Sequence, residues 1–344
     1  YEFLRGLVGS EMCIRDSVYN EYTVEPGIKA ATEYVKSKDY AHPDVLSWTY
    51  AEGYAGLGSG QTAHLTTFSN VSKFADRMNP DGTTATPAAG QATTAPTASL
   101  EPVPGARSPL SVPEGDPVVA ARWVTLESQG DELVAYLARP AAEGEFPAVM
   151  VCHENRGLTP HIRDVARRLA QAGHVALAVD LLSREGGTDA VDSDQAPALL
   201  SGAPAERHVA DFAAALAYLQ SLDYVKSEGI GMTGFCFGGG ITWRCAVALP
   251  ELKAAVAFYG PAPDLAQVPN IRAAVLGVYA ELDNRITSGK DALEQALADA
   301  GITHQMKVYP GVNHAFHNDT GQRYDEAQAI QAWQDTLAWF EAHL

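Results

Sequence analysis

The stretch Gly234-Phe235-Cys236-Phe237-Gly238-Gly239 decides the fold of this chain. Residues 229–233 before it form a short apolar run typical of a buried strand, and residues 240–249 after it can continue as a helix. A chain that passes from strand to helix through such a motif must turn sharply, and glycines lack the Cβ atoms that would crowd the turn. The sequence therefore predicts a nucleophile elbow in which cysteine takes the place usually held by serine.

Cys236 has two interpretations at this stage. A glycine-rich turn around a buried, inert cysteine is the simpler one. We favour a catalytic cysteine because the N-terminus of a helix stabilises negative charge, and the thiolate is the reactive form of cysteine. We therefore expect the helix end to favour the Cys236 thiolate.

Strand and helix patterns alternate regularly from residue 118 onward. Residues 146–152 form a continuous apolar run of the kind that is buried on both faces of a sheet. The alternation predicts an α/β fold with a mostly parallel central sheet and helices on both faces, whose ligands bind where the strands end. The other predicted strands are 118–127, 133–138, 175–181, 254–259, 273–279 and 304–309, and the predicted helices run from Thr159 to Gly173 and over 206–222, 288–300 and 323–343.

Two residues downstream of the elbow can complete a catalytic constellation. A cysteine nucleophile needs a base to take its proton and a third group to orient that base. In elbow-type enzymes the acid and then the histidine follow the nucleophile along the chain. Asp283 and His314 occur in this order, each just after a predicted strand. Glu281 is an alternative acid, His317 is a weaker alternative base, and any of these residues could be an ordinary loop residue.

The loop after residues 146–152 carries His153, Glu154 and Asn155. In elbow enzymes this loop supplies one N–H of the oxyanion hole, and the residue after the nucleophile supplies the other. We therefore expect the amides of Asn155 and Phe237 to form that hole. Two solvated loop residues are the alternative interpretation of His153 and Glu154. A metal site from these two and the two downstream histidines is a further one, but their spacing requires no metal, and we expect no cofactor.

Composition restricts the class of partner. The 344 residues carry a formal net charge of −18, which argues against nucleic acid or an anionic membrane surface. No run of about 18 apolar residues encodes a membrane span. Cys13, Cys152, Cys236 and Cys245 have no zinc-like spacing and do not suggest a disulfide framework. We expect a monomer or a small homo-oligomer that acts on a small molecule.

The first 117 residues differ in composition from the rest. Residues 1–80 are an extension of unclear origin, in which residues 27–78 contain a candidate helix at 28–38 and loosely resemble a fragment of an extracellular solute-binding protein. Within it, residues 1–17 resemble translated sequencing-adapter sequence and are set aside. Residues 81–117, rich in Thr, Ala and Pro, predict a flexible linker. Such linkers are common in exported bacterial proteins, so both an exported and a cytoplasmic soluble protein stay open.

Residues 118–344 resemble the dienelactone hydrolase family of carboxymethylenebutenolidase-like enzymes, which has the α/β-hydrolase fold. The resemblance rests on residues 234–239, 153–158, 282–283 and 313–316. It implies that Cys236 is the nucleophile, His314 the base and Asp283 its orienting acid. It also implies that Glu154 contacts the resting thiol and helps to deprotonate it when substrate binds. A thiol held neutral until then resists oxidation and stray alkylation.

One position departs from the family pattern. Members that act on dienelactone have an arginine four residues after the catalytic histidine, where it holds the substrate carboxylate, but this chain has Asn318. Loss of a bidentate clamp weakens selection for carboxylate-bearing lactones. Arg184 and Arg207 are candidates for the family's other carboxylate-binding arginine. The remaining candidate substrate contacts are Tyr259 and Phe316.

The function these residues favour is cofactor-free hydrolysis of a small ester or lactone through an acyl-enzyme on Cys236. Two alternatives stay open. One is a non-catalytic protein that binds a small ligand with the same fold. The other is a thiol-dependent acyltransferase, which would need water to be excluded from the site.

Overall fold

A computed structural model of the protein describes residue 100 and residues 102–344. The predictions for residues 1–80 and for most of the linker lie outside these described residues. The strands of the described part are β1 (Val119–Ser128), β2 (Asp131–Pro140), β3 (Phe146–Cys152), β4 (Val175–Val179), β5 (Val225–Phe235), β6 (Ala254–Phe258), β7 (Ala274–Ala280) and β8 (His304–Tyr309). Its α-helices are α1 (Pro160–Gln171), α2 (Ala196–Gly202), α3 (Ala205–Gln220), α4 (Phe237–Ala248), α5 (Asn284–Thr287), α6 (Lys290–Asp299) and α7 (Glu326–His343).

The strands form one sheet in the order β1-β2-β4-β3-β5-β6-β7-β8. The β1–β2 and β2–β4 pairs are antiparallel, and every pair from β4 to β8 is parallel. The predicted α/β fold with a mostly parallel sheet is therefore confirmed. Because parallel strands end on the same side, the loops that follow β3 and β5–β8 converge at one edge.

Helices cover both faces of this sheet, as predicted. On one face, Ile162 and Leu169 of α1 and Phe340 of α7 are buried against the sheet. On the other face, side chains of α3, α4 and α6 are buried. No helix within residues 102–344 is long and apolar enough to cross a bilayer.

Three local details differ from the predicted elements. Thr159 was predicted to cap α1, but its side chain makes no capping hydrogen bond, although Pro160 occupies the first helical position as predicted. The helix predicted at 288–300 corresponds to α6 (Lys290–Asp299), and the short helix α5 (Asn284–Thr287) before it was not predicted. Helix α2, which is only seven residues long, was not predicted either.

The predicted linker is wrong for its last part, because residues 102–117 pack on the domain. Val103 and Val112 are buried. The Val112 N–H donates to Asp164 Oδ1 (2.7 Å), and its carbonyl accepts from Arg167 Nε (2.7 Å). The apolar residues of this part distinguish it from the uncharged Thr/Ala/Pro segment before it.

The elbow brings three backbone segments into contact. Cys236 lies between β5 and α4 with φ 58° and ψ −114°, and its N–H donates to Phe258 O (3.1 Å). A Cβ on Gly238 would lie 2.5 Å from the carbonyl oxygens of both Cys152 and His153. The elbow therefore packs backbone to backbone on the end of β3, and a side chain at residue 238 has no room.

We expect Gly238→Ala to lower the free energy of unfolding by about 1–3 kcal/mol, because backbone must move to admit the methyl group. Urea denaturation measures this loss. Gly202→Ala is the matched control, since a Cβ there meets nothing within 4 Å, and we expect a change within about 0.5 kcal/mol. Equal losses in the two variants would contradict the crowding argument.

Candidate active site

Five candidate side chains lie where successive parallel strands end. Glu154 follows β3, Cys236 follows β5, Tyr259 follows β6, Asp283 follows β7 and His314 follows β8. Parallel pairing therefore collects at one edge residues that are up to 160 positions apart in the sequence.

The backbone at this edge is held in unusual conformations. Cys236 (φ 58°), Tyr259 (φ 37°) and Ala315 (φ 65°) are non-glycine residues with positive φ. Within residues 102–344 only one other such residue occurs, Gln129 in the β1–β2 hairpin. Side chains disfavour this region, so the surrounding structure must hold these three residues in place.

Asp283 fixes the orientation of the His314 ring. Nδ1 of His314 lies 2.5 Å from Oδ2 of the buried Asp283 carboxylate. An ionised carboxylate only accepts hydrogen bonds, so Nδ1 carries the proton and Nε2 keeps a lone pair. Nε2 is buried and has no hydrogen-bond partner among the described residues. The alternative acid, Glu281, instead accepts from the Gly311 N–H (2.7 Å) at the surface.

His317, the alternative base, lies in the hydrophobic core. Its ring stacks on Phe235 (5.1 Å between centroids) and lies 5.9 Å from the Trp333 ring. Burial holds the pKa of His317 well below its usual value, so the ring is neutral. Geometry therefore favours His314 over His317 as the candidate base.

Cys236 rests as a thiol. Burial raises its pKa to about 11, and the negative charge of Glu154 acts in the same direction. The N–H of Phe237 and the charge of Arg285 lower this pKa, but they are the smaller effects. The helix end therefore favours the thiolate through the Phe237 N–H, as expected, but burial outweighs this effect in the resting site.

Glu154 is held from one side only. Its Oε2 accepts a hydrogen bond of 2.5 Å from Nδ2 of Asn318, whereas its Oε1 is buried without a partner among the described residues. The charge of Glu154 also contributes to a raised pKa of Tyr259, after burial as the main cause. Glu154 is therefore not a solvated loop residue, which was the alternative interpretation of the sequence.

His153 is fully buried and holds the backbone of Glu154. The Leu181 N–H donates to Nε2 of His153 (3.1 Å), so the proton lies on Nδ1, which donates to Glu154 O (2.6 Å). Both ring nitrogens are thus occupied, and His153 cannot ligate a metal in this arrangement. Nor does the described part contain a cluster of His, Cys, Asp and Glu side chains that could hold a metal ion.

The two candidate oxyanion amides belong to the first residue of α4 and to the loop after β3. Phe237 is the first residue of α4, so its N–H has no acceptor within the helix, and it donates towards the Cys236 sulfur. Asn155 is the second residue of a turn that the Gly157 N–H closes onto Glu154 O (3.3 Å). The Asn155 N–H is not used by that turn.

The sequence model of the dienelactone hydrolase family matches residues 133–344, more than half of the chain. The chain belongs to the dienelactone hydrolase family. It is 38% identical over 262 residues to a protein of Escherichia coli O157:H7 that is named as a candidate carboxymethylenebutenolidase, covering 69% of this chain and 94% of the relative.

Two further comparisons agree with this family. A Bradyrhizobium protein named as a candidate 2-oxo-3-(5-oxofuran-2-ylidene)propanoate lactonase is 30% identical over 238 residues, covering 66% of this chain and 96% of the relative. A crystal structure of a candidate dienelactone hydrolase from Klebsiella pneumoniae is 36% identical, with a TM-score of 0.61, and covers 65% of this chain and 99% of that one. The chain is thus a dienelactone hydrolase-like hydrolase of carboxylic esters or lactones.

The two candidates for a carboxylate-binding arginine, Arg184 and Arg207, pair with carboxylates of the protein itself. Arg184 donates to Asp131 (2.6 Å), to both oxygens of Asp211 (2.9 Å) and to a backbone carbonyl of the β1–β2 hairpin. Arg207 pairs with Glu185 (3.2 Å). Arg184 therefore ties the hairpin to α3, because a buried carboxylate such as Asp211 needs a paired cation.

The other candidate substrate contacts have different surroundings. Phe316 is fully buried, and its ring centroid lies 5.3 Å from that of Tyr309. It therefore belongs to the core, and its prediction as a substrate contact is corrected. The Tyr259 ring lies 5.0 Å from the His314 ring, and its buried hydroxyl has no partner among the described residues. Asn318 has its amide bound to Glu154. Arg285, an exposed cation whose charge lowers the pKa of Cys236, was not among the predicted site residues.

We expect Glu154→Gln to speed alkylation of Cys236 and to slow ester hydrolysis. Removing the negative charge lowers the pKa of Cys236, so iodoacetamide at pH 8 should alkylate the resting thiol faster than in the wild type. Ester hydrolysis should fall by about tenfold or more if the carboxylate assists proton transfer. Peptide mass spectrometry assigns the alkylated cysteine, and initial rates give the turnover.

Glu281→Gln is the matched control, because it neutralises an exposed carboxylate that bonds Gly311 at the same edge of the sheet. It should leave both quantities close to those of the wild type. Slower alkylation of Glu154→Gln would contradict the assigned charge effect.

Proposed function

We propose that this protein hydrolyses a small ester or lactone through an acyl-enzyme on Cys236. The observation that supports this most is the pair of His314 and the buried Asp283 at the sheet edge that also carries the elbow, which leaves Nε2 of His314 free to accept a proton. A nucleophile, a base and a group that orients the base are the parts that acyl transfer requires.

The resting thiol must lose its proton before it can attack. Glu154 Oε1 and His314 Nε2 are both acceptors without partners among the described residues, and the charge of Glu154 acts on Cys236. As substrate binds, the proton leaves the sulfur for Nε2 of His314 with the help of the Glu154 carboxylate. The thiolate then forms a bond to the carbonyl carbon.

The carbonyl oxygen becomes an oxyanion and accepts hydrogen bonds from the amides of Phe237 and Asn155. Collapse of this intermediate breaks the carbon–oxygen ester bond, and His314 returns its proton to the leaving oxygen. A thioester on Cys236 results. His314 Nε2 then takes a proton from water, the hydroxide attacks the thioester, and that proton returns to the sulfur as the acid leaves.

We expect Cys236→Ala and His314→Ala to lower kcat for p-nitrophenyl acetate by at least about a thousandfold, because each removes one member of a unit that acts together. Asp283→Asn should lower it by about a hundredfold or more, since the ring loses its fixed tautomer. Initial-rate kinetics on purified variants measure these losses.

The controls are Cys245→Ala, which removes a buried thiol from α4, and His304→Ala, which removes a half-buried histidine from the edge strand β8. Both should keep kcat within about threefold of the wild type. Turnover that survives loss of Cys236, or a wild type that shows none, would reject this mechanism.

The substrate that we propose is an uncharged small ester or lactone. Asn318 lies four residues after His314; its side chain is neutral, and its amide already donates a hydrogen bond to Glu154. Arg184 is committed to Asp131 and Asp211. A substrate carboxylate would thus approach two acidic groups, Glu154 and Asp283, without an arginine at these positions to bind it.

We expect the methyl ester of dienelactone to be hydrolysed at the lactone with a kcat/KM at least about tenfold higher than free dienelactone. Methylation removes the negative charge of the carboxylate and adds only one methyl group, so the ratio reports chiefly on that charge. Faster turnover of the free acid would contradict the proposal and would assign carboxylate binding to another cation, Arg285 first.

A further inference from the structure

A buried carboxylate anchors the loop that carries His314. We call residues 314–319 the histidine loop. It ends at Asp319, which is fully buried. Asp319 Oδ1 bonds Nδ1 of His161 (2.8 Å), and its Oδ2 pairs with Nη2 of Arg168 (2.8 Å). Burial alone would raise the pKa of Asp319, but His161 and Arg168 hold this pKa well below its usual range, so the group is ionised.

Two consecutive residues upstream of β1 complete the surroundings of Asp319. We call residues 103–112 the arm. The Ser108 N–H donates to Asp319 Oδ2 (3.1 Å), and Arg107 Nε donates to Asp319 O (3.0 Å). Arg107 also donates to Gly321 O and covers the Tyr324 ring at 5.2 Å. The arm precedes residues 133–344, the part that the family model matches.

The arm is also fixed at its other end. The Val112 N–H donates to Oδ1 of Asp164 (2.7 Å), a second fully buried carboxylate. Arg168 pairs with Asp164 through the other oxygen (2.5 Å), so one guanidinium joins both carboxylates. Arm, helix α1 and histidine loop therefore share one buried ionic cluster.

The histidine loop carries two groups of the site. His314 bonds Asp283, and Asn318 holds Glu154 with a 2.5 Å hydrogen bond. Between them, Ala315 has a positive φ that the loop does not favour by itself. A shift at Asp319, the residue next to Asn318, would move Asn318 and hence Glu154.

We propose that the arm and Asp319 are positioning elements for the reaction, which fix the histidine loop so that His314 keeps its contact with Asp283 and Asn318 its contact with Glu154. This inference rests on the proposed function for its turnover measurements. A misplacement of about 1 Å in such groups can cost up to a hundredfold in rate, so a side chain of the arm affects catalysis without touching substrate.

Arg107→Ala in the full chain tests the arm, with Arg163→Ala as its matched control. Each removes an arginine that covers an aromatic ring, Tyr324 for Arg107 and Trp123 for Arg163 at 5.5 Å. Only Arg107 contacts residues 319–321. We expect similar small shifts of Tm, but a kcat for p-nitrophenyl acetate about tenfold lower in Arg107→Ala alone, with KM little changed. Equal kcat values for the two variants would overturn the proposal.

Asp319→Asn and Asp211→Asn form a second matched pair, because each neutralises a fully buried carboxylate that pairs with an arginine, but Asp211 pairs with Arg184, outside the cluster of the arm. Both should lower Tm. Only Asp319→Asn should also lower kcat and speed alkylation of Cys236 by iodoacetamide at pH 8, since Glu154 would be less firmly held beside the thiol. If kcat falls along with Tm in both variants, Asp319 has a merely structural role and the proposal is refuted.

Alkylation needs no turnover, so it separates this proposal from the proposed function. If the wild type hydrolyses no ester, but iodoacetamide alkylates Cys236 faster in Asp319→Asn and not in its control variant, the proposed function fails and the positioning proposal holds. If alkylation is unchanged in Asp319→Asn and Arg107→Ala, the positioning proposal fails whatever the turnover.

Discussion

The backbone contact at the elbow is the constraint on which the rest of the site depends. Gly238 lies so close to the carbonyl oxygens of Cys152 and His153 that no side chain fits between them. The Cys236 N–H bonds Phe258 O from the neighbouring strand. Together these contacts fix the turn between β5 and α4 relative to β3 and β6. The Phe237 amide, the loop of Glu154 and the Tyr259 side chain are placed by the same contacts.

Electrostatics at the elbow favour a neutral resting sulfur. A helix N-terminus stabilises a thiolate by only a modest amount, whereas burial and a nearby carboxylate act against it. The result is a Cys236 pKa of about 11. In our account the nucleophile is made when substrate arrives, because proton transfer to His314 and neutralisation of developing charge by the oxyanion amides then offset the cost of ionisation. This arrangement also limits oxidation of the resting sulfur.

Local patterns in the sequence predicted the framework well. The apolar run at 146–152 coincides with β3. Asp283 and His314 follow their strands, as predicted, and therefore lie at the same edge of the sheet. Arg184 was misassigned because its partner Asp211 is 27 residues away, on a different element, and nothing in the local sequence reveals the pair. The roles of His153 and Asn318 likewise depend on contacts between distant loops. The arm was mistaken for linker because its ionic contacts are made with α1 and the histidine loop, which only the folded chain brings near.

The covalent intermediate on Cys236 is the central claim, and rapid quenching with mass spectrometry tests it most directly. The protein is mixed with p-nitrophenyl acetate, quenched in acid within the first turnover, and digested for peptide mapping. Our account predicts one acetyl group on the peptide that contains Cys236, absent from Cys236→Ala and lost with time as the thioester hydrolyses. Turnover without any acetyl group on Cys236, or acetylation of another residue at the turnover rate, would contradict it.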